Sequence, residues 1–292
     1  MIYIIENENL KVSVETLGAQ LKSVYSKDTS TEYLWQGDKK YWTGRAYNLF
    51  PYVGRFVDGK YSVEGKIYEM DRHGFARGSE FVLTQKTDES MTFCISATDS
   101  TKQIYPFDFI FYVRYSLLGK KLQVEYKVVN VGKNVMYFGL GGHPGFNVPF
   151  DGGEFEDYYV EFENNCSPLQ IIANEKGLIT PERKRLSLKD FKKIELRHDL
   201  FDNDAIIMED VVKAVYLKGK NTSRSIKVSF EDMSYLGLWH MPKTDAPYLC
   251  IEPWKTLPSN DGCIEVLESK KEVGVLKPNE RYVTYIGIEI NE

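Results

Sequence analysis

The stretch "FDFIFYVRYSLLGKKLQVEYKV", Phe107 to Val128, decides the fold class. In its first half Phe107, Phe109, Phe111, Val113 and Tyr115 take alternate positions, with Asp108 and Arg114 among the residues between them. In its second half Leu122, Val124, Tyr126 and Val128 alternate with Gln123, Glu125 and Lys127. A period of two puts every apolar side chain on one face of an extended chain, so both halves predict half-buried antiparallel strands.

The same alternation recurs outward from there. "YSVEGKIYEM" (61–70) predicts a hairpin turning at Glu64-Gly65, and "VVNVGKNVMYF" (128–138) one turning at Gly132-Lys133-Asn134. "VKAVYLKG" (212–219) and "SIKVSF" (225–230) predict a further hairpin, and "RYVTYIGIEI" (281–290) a last strand. "MIYIIENENL" lacks a positive first segment and a long apolar run, so it reads as a short strand and not as a signal peptide. Helical pattern is scarce: "LSLKDFKK" (186–193) and "DLFDND" (199–204) predict a turn or two each. No linker, repeat or low-complexity tract divides the 292 residues, so one all-β domain spanning 1–292 is expected. A single flat sheet is implausible at that size, and two large packed, mostly antiparallel sheets are the natural solution.

Composition narrows the function. Apolar residues make up 42% and aromatics 14%, with 20 Tyr and 16 Phe, which favours strands and leaves aromatic faces for a binding groove. The net charge is −5 and there is no basic run, so no nucleic-acid partner is expected. No segment approaches the roughly 20 apolar residues of a membrane span. Cys94, Cys166, Cys250 and Cys263 are scattered without a C-x-x-C pair, which predicts reduced thiols, a cytoplasmic protein and no metal site. The sequons at Asn165 and Asn221 read as chance matches. No G-x-S-x-G, H-E-x-x-H or phosphate-loop pattern is present, and no cofactor is expected.

Four local sequences stand out. "GLGGHPGFNVPF" (139–150) sets His143, one of four histidines, among glycines that permit close approach, with Phe146 as an aromatic wall. Its prolines rule out a strand-to-helix dinucleotide loop. His143 there is either a packed turn residue or a placed imidazole. In "NLFPYVGRFVDGKY" (48–61), Arg55 lies among aromatics, either snorkelling to water or aiming its donors into a cleft. In "DRHGFARGSEF" (71–81), His73 beside Gly74 is either a backbone-bonded turn residue or a site residue, and Arg77 follows four positions on. In "YLCIEPWKTLPS" (248–259), Glu252 falls on the face opposite Leu249 and Ile251, either toward water or, with Cys250, toward a second buried surface. Asp204 is a cap, a turn residue or a ligand contact; Trp239, a candidate substrate contact, and His240 close a strand before Pro242, with His240 at a rim; His198 reads as a solvated turn histidine.

Taken in order, "LGAQLKSVYSKDTSTEYLWQGD", "NLFPYVGR", "RHGFARGSEF", "GGHPGFNVP" and "CIEPW" resemble the aldose 1-epimerase (galactose mutarotase) family, and the resemblance runs from about residue 10 to residue 290. It implies a galactose-mutarotase-like β-supersandwich with a sugar cleft. It further implies that His143 is a general acid and Glu252 a general base, with Arg55, His73 and Asp204 contacting the sugar. The Phe and Arg after His73-Gly74 depart from the galactose enzymes and are closer to mutarotase-like proteins and hexose-6-phosphate mutarotases. That departure makes Arg77 a candidate phosphate contact.

The implied reaction interconverts α and β anomers of an aldohexose. It needs a proton delivered to the ring oxygen and one removed from the anomeric hydroxyl, with no metal, nucleotide or covalent intermediate. Imidazolium at His143 and carboxylate at Glu252 would serve, each contributing ~10²–10⁴-fold with a bell-shaped pH–rate profile. Burial alone opposes both charges, so a donor such as Arg55 is expected to restore them. The expected partner is a small sugar, an aldohexose with or without a phosphate, bound by a monomer or homodimer. The alternatives are a hexose-6-phosphate mutarotase and a non-catalytic carbohydrate-binding protein. A glycoside hydrolase would need a second carboxylate beside Glu252.

Overall fold

A computed structural model describes all 292 residues. The alternating stretch that opens the sequence analysis forms two long strands, Phe109–Leu118 and Lys121–Asn130, paired antiparallel in continuous register. They lie in a nine-stranded sheet. Its order is Lys193–Glu195, Tyr158–Phe162, Ala214–Gly219, Ser225–Phe230, Arg281–Asn291, Lys121–Asn130, Phe109–Leu118, Ser90–Ser96 and Val82–Lys86. A seven-stranded sheet packs on it, in the order Ile179–Arg185, Leu169–Ala173, Ile206–Glu209, Tyr235–Trp239, Tyr248–Trp254, Gly141–Asn147 and Ala46–Leu49. The one parallel strand pair joins Lys60–Val63 to Glu265–Val266. No helix is long and apolar enough to cross a membrane.

The main core fills the space between the two sheets. Phe111, Tyr126 and Ile286 of the larger sheet and Phe146, Leu238 and Ile251 of the smaller belong to one buried apolar cluster. Along Tyr248–Trp254 the pleat sends Leu249 and Ile251 into this core and Cys250, Glu252 and Trp254 to the other face. That second face is covered by loops, so all seven residues of the strand are buried.

Two of the expected hairpins form as read. Lys60–Val63 pairs with Lys66–Glu69 across Glu64 (φ 49°) and Gly65 (φ 74°), the two positive values that a two-residue I′ turn requires. Ala214–Gly219 pairs with Ser225–Phe230. The hairpin expected at Gly132-Lys133-Asn134 does not form, because Met136–Phe138 pairs with Gly274–Leu276 instead. Asn130 diverts the chain: its side-chain nitrogen donates to the carbonyls of Asn134 and Leu276, each at 2.8 Å, and its oxygen accepts from Gly132 N–H at 2.9 Å. The helix expected at 186–193 is also absent. Asp190 (φ 51°) and Phe191 (φ 59°) are left-handed, and Lys189 and Lys193 exchange backbone hydrogen bonds of 2.9 and 2.8 Å across a tight turn. At 199–204 a single 3₁₀ turn, His198–Phe201, is all the helix there is.

Candidate active site

The cleft lies on the loop-covered face of the seven-stranded sheet and encloses about 820 Å³ including its open mouth, within the range of small-ligand sites. Each strand delivers its cleft-facing residue by the same alternation. Gly141–Asn147 turns His143 into the cleft and Phe146 into the core. The aromatic wall expected of Phe146 is therefore not there: three residues along a strand reverse the face. Tyr235–Trp239 contributes Trp239, and Tyr248–Trp254 contributes Glu252 and Trp254.

His143 and Glu252 meet at the floor. Nε2 of His143 lies 3.2 Å from Oε2 of Glu252, and the residues are 8% and 1% exposed. The two atoms are close but not aligned for a hydrogen bond, and Oε2 of Glu252 and Nδ1 of His143 have no hydrogen-bond partner. The indole N–H groups of Trp239 and Trp254 are likewise buried without partners. Buried polar atoms are normally satisfied, so four orphans in one cleft mark a surface built to meet a polar ligand.

His73 is held by the loop around Gly54. Its backbone N–H donates to Gly54 O at 2.7 Å, and its Nδ1 accepts from Gly54 N–H at 3.1 Å. With Nδ1 an acceptor, the neutral ring carries its proton on Nε2 and offers it as a donor. His73 has φ +67°, and Gly74 follows at +72°, where a Cβ would stand 2.3 Å from Phe50 O. Both readings of His73 thus hold: it is a backbone-bonded turn residue and it lines the cleft.

Arg55, Arg77 and Asp204 also line the cleft. Asp204, left-handed at φ +75°, has its carboxylate 3.8 Å from Arg72. Arg55 is exposed at the mouth, and the Arg77 guanidinium lies over the Tyr47 ring at 5.5 Å. Neither forms an ion pair. Sequence reasoning passed over Arg72, Trp42, Tyr47 and Trp254, all of which line the cleft. Arg72 was legible beside His73, and Trp254 two residues from Glu252 on the same pleat. Trp42 sits in a polar loop and carried no signal.

His240 is not at the rim. It is fully buried between Phe155 and Phe201, its Nδ1–H donates to Met241 O (2.8 Å), and its Nε2 lies 3.1 Å from Nδ1 of His198. His198 in turn stacks on Phe155 at 4.1 Å instead of standing free in solvent.

Burial governs the charges on the pair. Desolvation pushes the His143 pKa down to about 3, with repulsion from Arg72 adding to it. Desolvation also raises Glu252 well above the usual carboxylate range, against the opposing pull of Arg72. The cation that favours ionised Glu252 is thus Arg72, where the sequence pointed to Arg55. Burial therefore favours a neutral imidazole beside a carboxylic acid in the free pair. Cys250 brings its sulfur into the same group, with donor atoms of His143, Cys250 and Glu252 within 4.8 Å of one another. Burial raises that thiol well above its ordinary pKa, which opposes the thiolate a metal would need.

Comparison with known proteins bears on this geometry. The family model for aldose 1-epimerase matches residues 1–289. The chromosomal LacX protein of Lactococcus lactis subsp. lactis is 33% identical over 285 residues, covering 94% of each chain. The crystal structure of a galactose mutarotase related enzyme from Lactobacillus acidophilus superimposes with a TM-score of 0.95 at 34% identity, over 100% of this chain and 98% of that one. A galactose mutarotase-like protein from Lactobacillus casei gives 0.94 at 29% identity over 100% of both chains. The β-supersandwich is that of the galactose mutarotase-like proteins, and the chain belongs to the aldose 1-epimerase family.

Proposed function

We propose that the protein interconverts the α and β anomers of an aldohexose by acid–base ring opening and closure. The observation that carries this reading is the His143–Glu252 pair, 3.2 Å apart and short of hydrogen-bond partners at the floor of the cleft. The ring oxygen and the anomeric hydroxyl are both bonded to C1, so two adjacent groups reach both. One delivers a proton to the ring oxygen as the C1–O bond breaks. The other takes the hydroxyl proton as the C1 carbonyl forms. The aldehyde end turns, and the reverse steps close the ring on its other face. A pair holding one proton meets this requirement in either form. Imidazolium with carboxylate and imidazole with carboxylic acid differ by one transfer between the two residues. Burial favours the second in the free protein. In this reading the indole N–H groups of Trp239 and Trp254 and the Nε2–H of His73 hold sugar hydroxyls.

A second reading is favoured by the arginines. Arg55 and Arg77 face the cleft without a carboxylate partner, Glu252 is held neutral, and the protein as a whole is at −5. An excess of guanidinium in one cleft suits a sugar bearing phosphate, which arginine binds bidentately.

Anomer exchange followed by NMR or polarimetry tests both readings, with glucose, galactose and their 6-phosphates as substrates. Exchange lost in Glu252→Gln and His143→Asn supports the pair, and a marked preference for a 6-phosphate supports the second reading. Binding without exchange in the unaltered protein would leave a carbohydrate-binding module.

A further inference from the structure

The loop 36–45 folds back over the cleft floor and lays the Trp42 indole flat on the His143 imidazole, with centroids 4.8 Å apart and planes at 26°. The indole is boxed by ring edges of Tyr47 (5.4 Å, 86°) and Trp239 (5.6 Å, 85°). Two glycines clear the room it needs. A Cβ on Gly145 would stand 3.1 Å from the indole and one on Gly44 would stand 2.5 Å from it. The backbone is pinned as well, since the carbonyl of Trp42 accepts from Trp35 Nε1–H at 2.9 Å and from Asp38 N–H at 3.1 Å. The tip is latched to the neighbouring 240–247 turn, where Tyr41 O–H donates to Asp245 at 2.7 Å and Lys40 lies 3.2 Å from the same carboxylate.

We propose that Trp42 is a positioning residue that covers His143, fixing the plane of its ring and keeping water from its face. This rests on His143 belonging to the acid–base pair proposed above. The indole stacks on the imidazole, and its proposed role is exercised through His143. The cover also sets the ring's charge. Burial is the largest reason His143 is held neutral, and a flat, apolar lid over one ring face contributes to it by excluding the hydration that an imidazolium needs. The other charged or titratable groups facing the imidazole are Glu252 and Cys250 from Tyr248–Trp254, Tyr47 from Ala46–Leu49, and Arg72, His73 and Arg77 from the loop opposite. Tyr126 of the larger sheet lies beneath, at Gly142.

The test is the charge state of His143 by ¹⁵N-imidazole NMR at pH 5–8, beside the pH profile of anomer exchange. In the unaltered protein His143 stays neutral down to pH 5. In Trp42→Ala it titrates toward the ordinary histidine value of about 6.5, and kcat/KM falls below that pH. At pH 7 the loosened ring lowers kcat/KM by about 10–100-fold. Trp42→Phe, which keeps a flat apolar cover, restores the neutral ring and the profile. Asp245→Ala, at the exposed latch, raises the His143 pKa part of the way without removing the indole. A His143 that stays neutral at pH 5 in both Trp42→Ala and Asp245→Ala overturns the proposal. The NMR readout does not depend on turnover. A protein that exchanges no sugar yet shows the Trp42-dependent titration would sink the proposed function and leave the cover standing.

Discussion

Gly237 stands directly opposite Glu252 on adjacent antiparallel strands, and the side chain it lacks is the space that Glu252 and Trp254 occupy. A Cβ built on Gly237 would lie 3.0 Å from the Trp254 ring and 3.4 Å from Cβ of Glu252. The close packing of the cleft floor therefore depends on a residue that contributes no chemistry of its own. Gly237→Ala is expected to shift Glu252 by a few tenths of an ångström and to lower kcat/KM by about ten-fold, since small misplacements of reacting groups are expensive. Gly237→Val should lose more. Exchange kinetics beside a urea melt separate the two effects. An alanine variant with full activity would show that Glu252 does not need this space.

The paired carboxyl and imidazole share one proton, so Glu252→Gln and His143→Asn should each lower kcat by about 10²–10⁴-fold, with the double variant little worse than the worse single one. The pH profile of kcat/KM should be a wide plateau. Its acid limb arises when His143 takes a second proton, near its lowered pKa of about 3. Its basic limb arises when Glu252 loses the shared proton, well above the usual carboxylate range. The bell expected from ordinary side chains is thus stretched outward by burial. An acid limb near 6.5 in the unaltered protein would mean a solvated imidazole and contradict this.

Acid stability should report on His240. Burial lowers its pKa to about 4, so the folded protein binds the proton less tightly than the unfolded chain does. Its stabilisation is complete above the unfolded value of about 6.5 and is lost as pH falls from there toward 4. Burial lowers His73 and His143 as well, and they act in the same direction, whereas raised Glu252 has the opposite sign. His240→Phe suits a pocket already lined by Phe155 and Phe201. Its denaturant midpoint should drop less than that of the unaltered protein between pH 6.5 and 4.5. Equal drops would remove His240 from the account.

Behind the cleft wall, Lys270 and Glu265 form a buried ion pair at 2.9 Å. Lys270 also donates to Pro258 O at 3.1 Å, and Glu265 accepts from Ser259 Oγ at 3.0 Å, so the pair holds the turn that lies against Gly54. Removing one partner leaves a buried charge unpaired, and Lys270→Met or Glu265→Leu should each destabilise by about 3–5 kcal/mol. The double variant should recover much of the loss. A double variant as unstable as the sum of the singles would show that no charge was being stranded. Chemical denaturation of the four proteins measures this.

Much of the fold was legible in local pattern. The strands 109–118 and 121–130, the turn at Glu64-Gly65 and the final strand follow from alternation and turn chemistry, which are properties of neighbouring residues. Partner choice was not. Val135 to Phe138 reads as the second arm of a hairpin, yet Met136–Phe138 pairs with a strand nearly 140 residues later, held there in part by Asn130. The stretch 186–193 carried a helix-like pattern too short to persist without packing against it, and a tight turn took its place.

The sequence by itself determined an all-β chain and its family resemblance, and it singled out His143, Glu252, Arg55, His73, Arg77, Asp204 and Trp239, all of which line one cleft. Glycine and proline around an imidazole, or a carboxylate inside an apolar strand, marked residues locally but left the role of each open. Tertiary structure alone decided which face Phe146 takes, that Trp42 covers His143, that Arg72 is the cation nearest in effect to Glu252, and where the shared proton rests. The physical reason is that burial and charge are sums over residues distant in the chain. Pleat and propensity belong to the strand, but desolvation exists only once the loops have closed over the sheet.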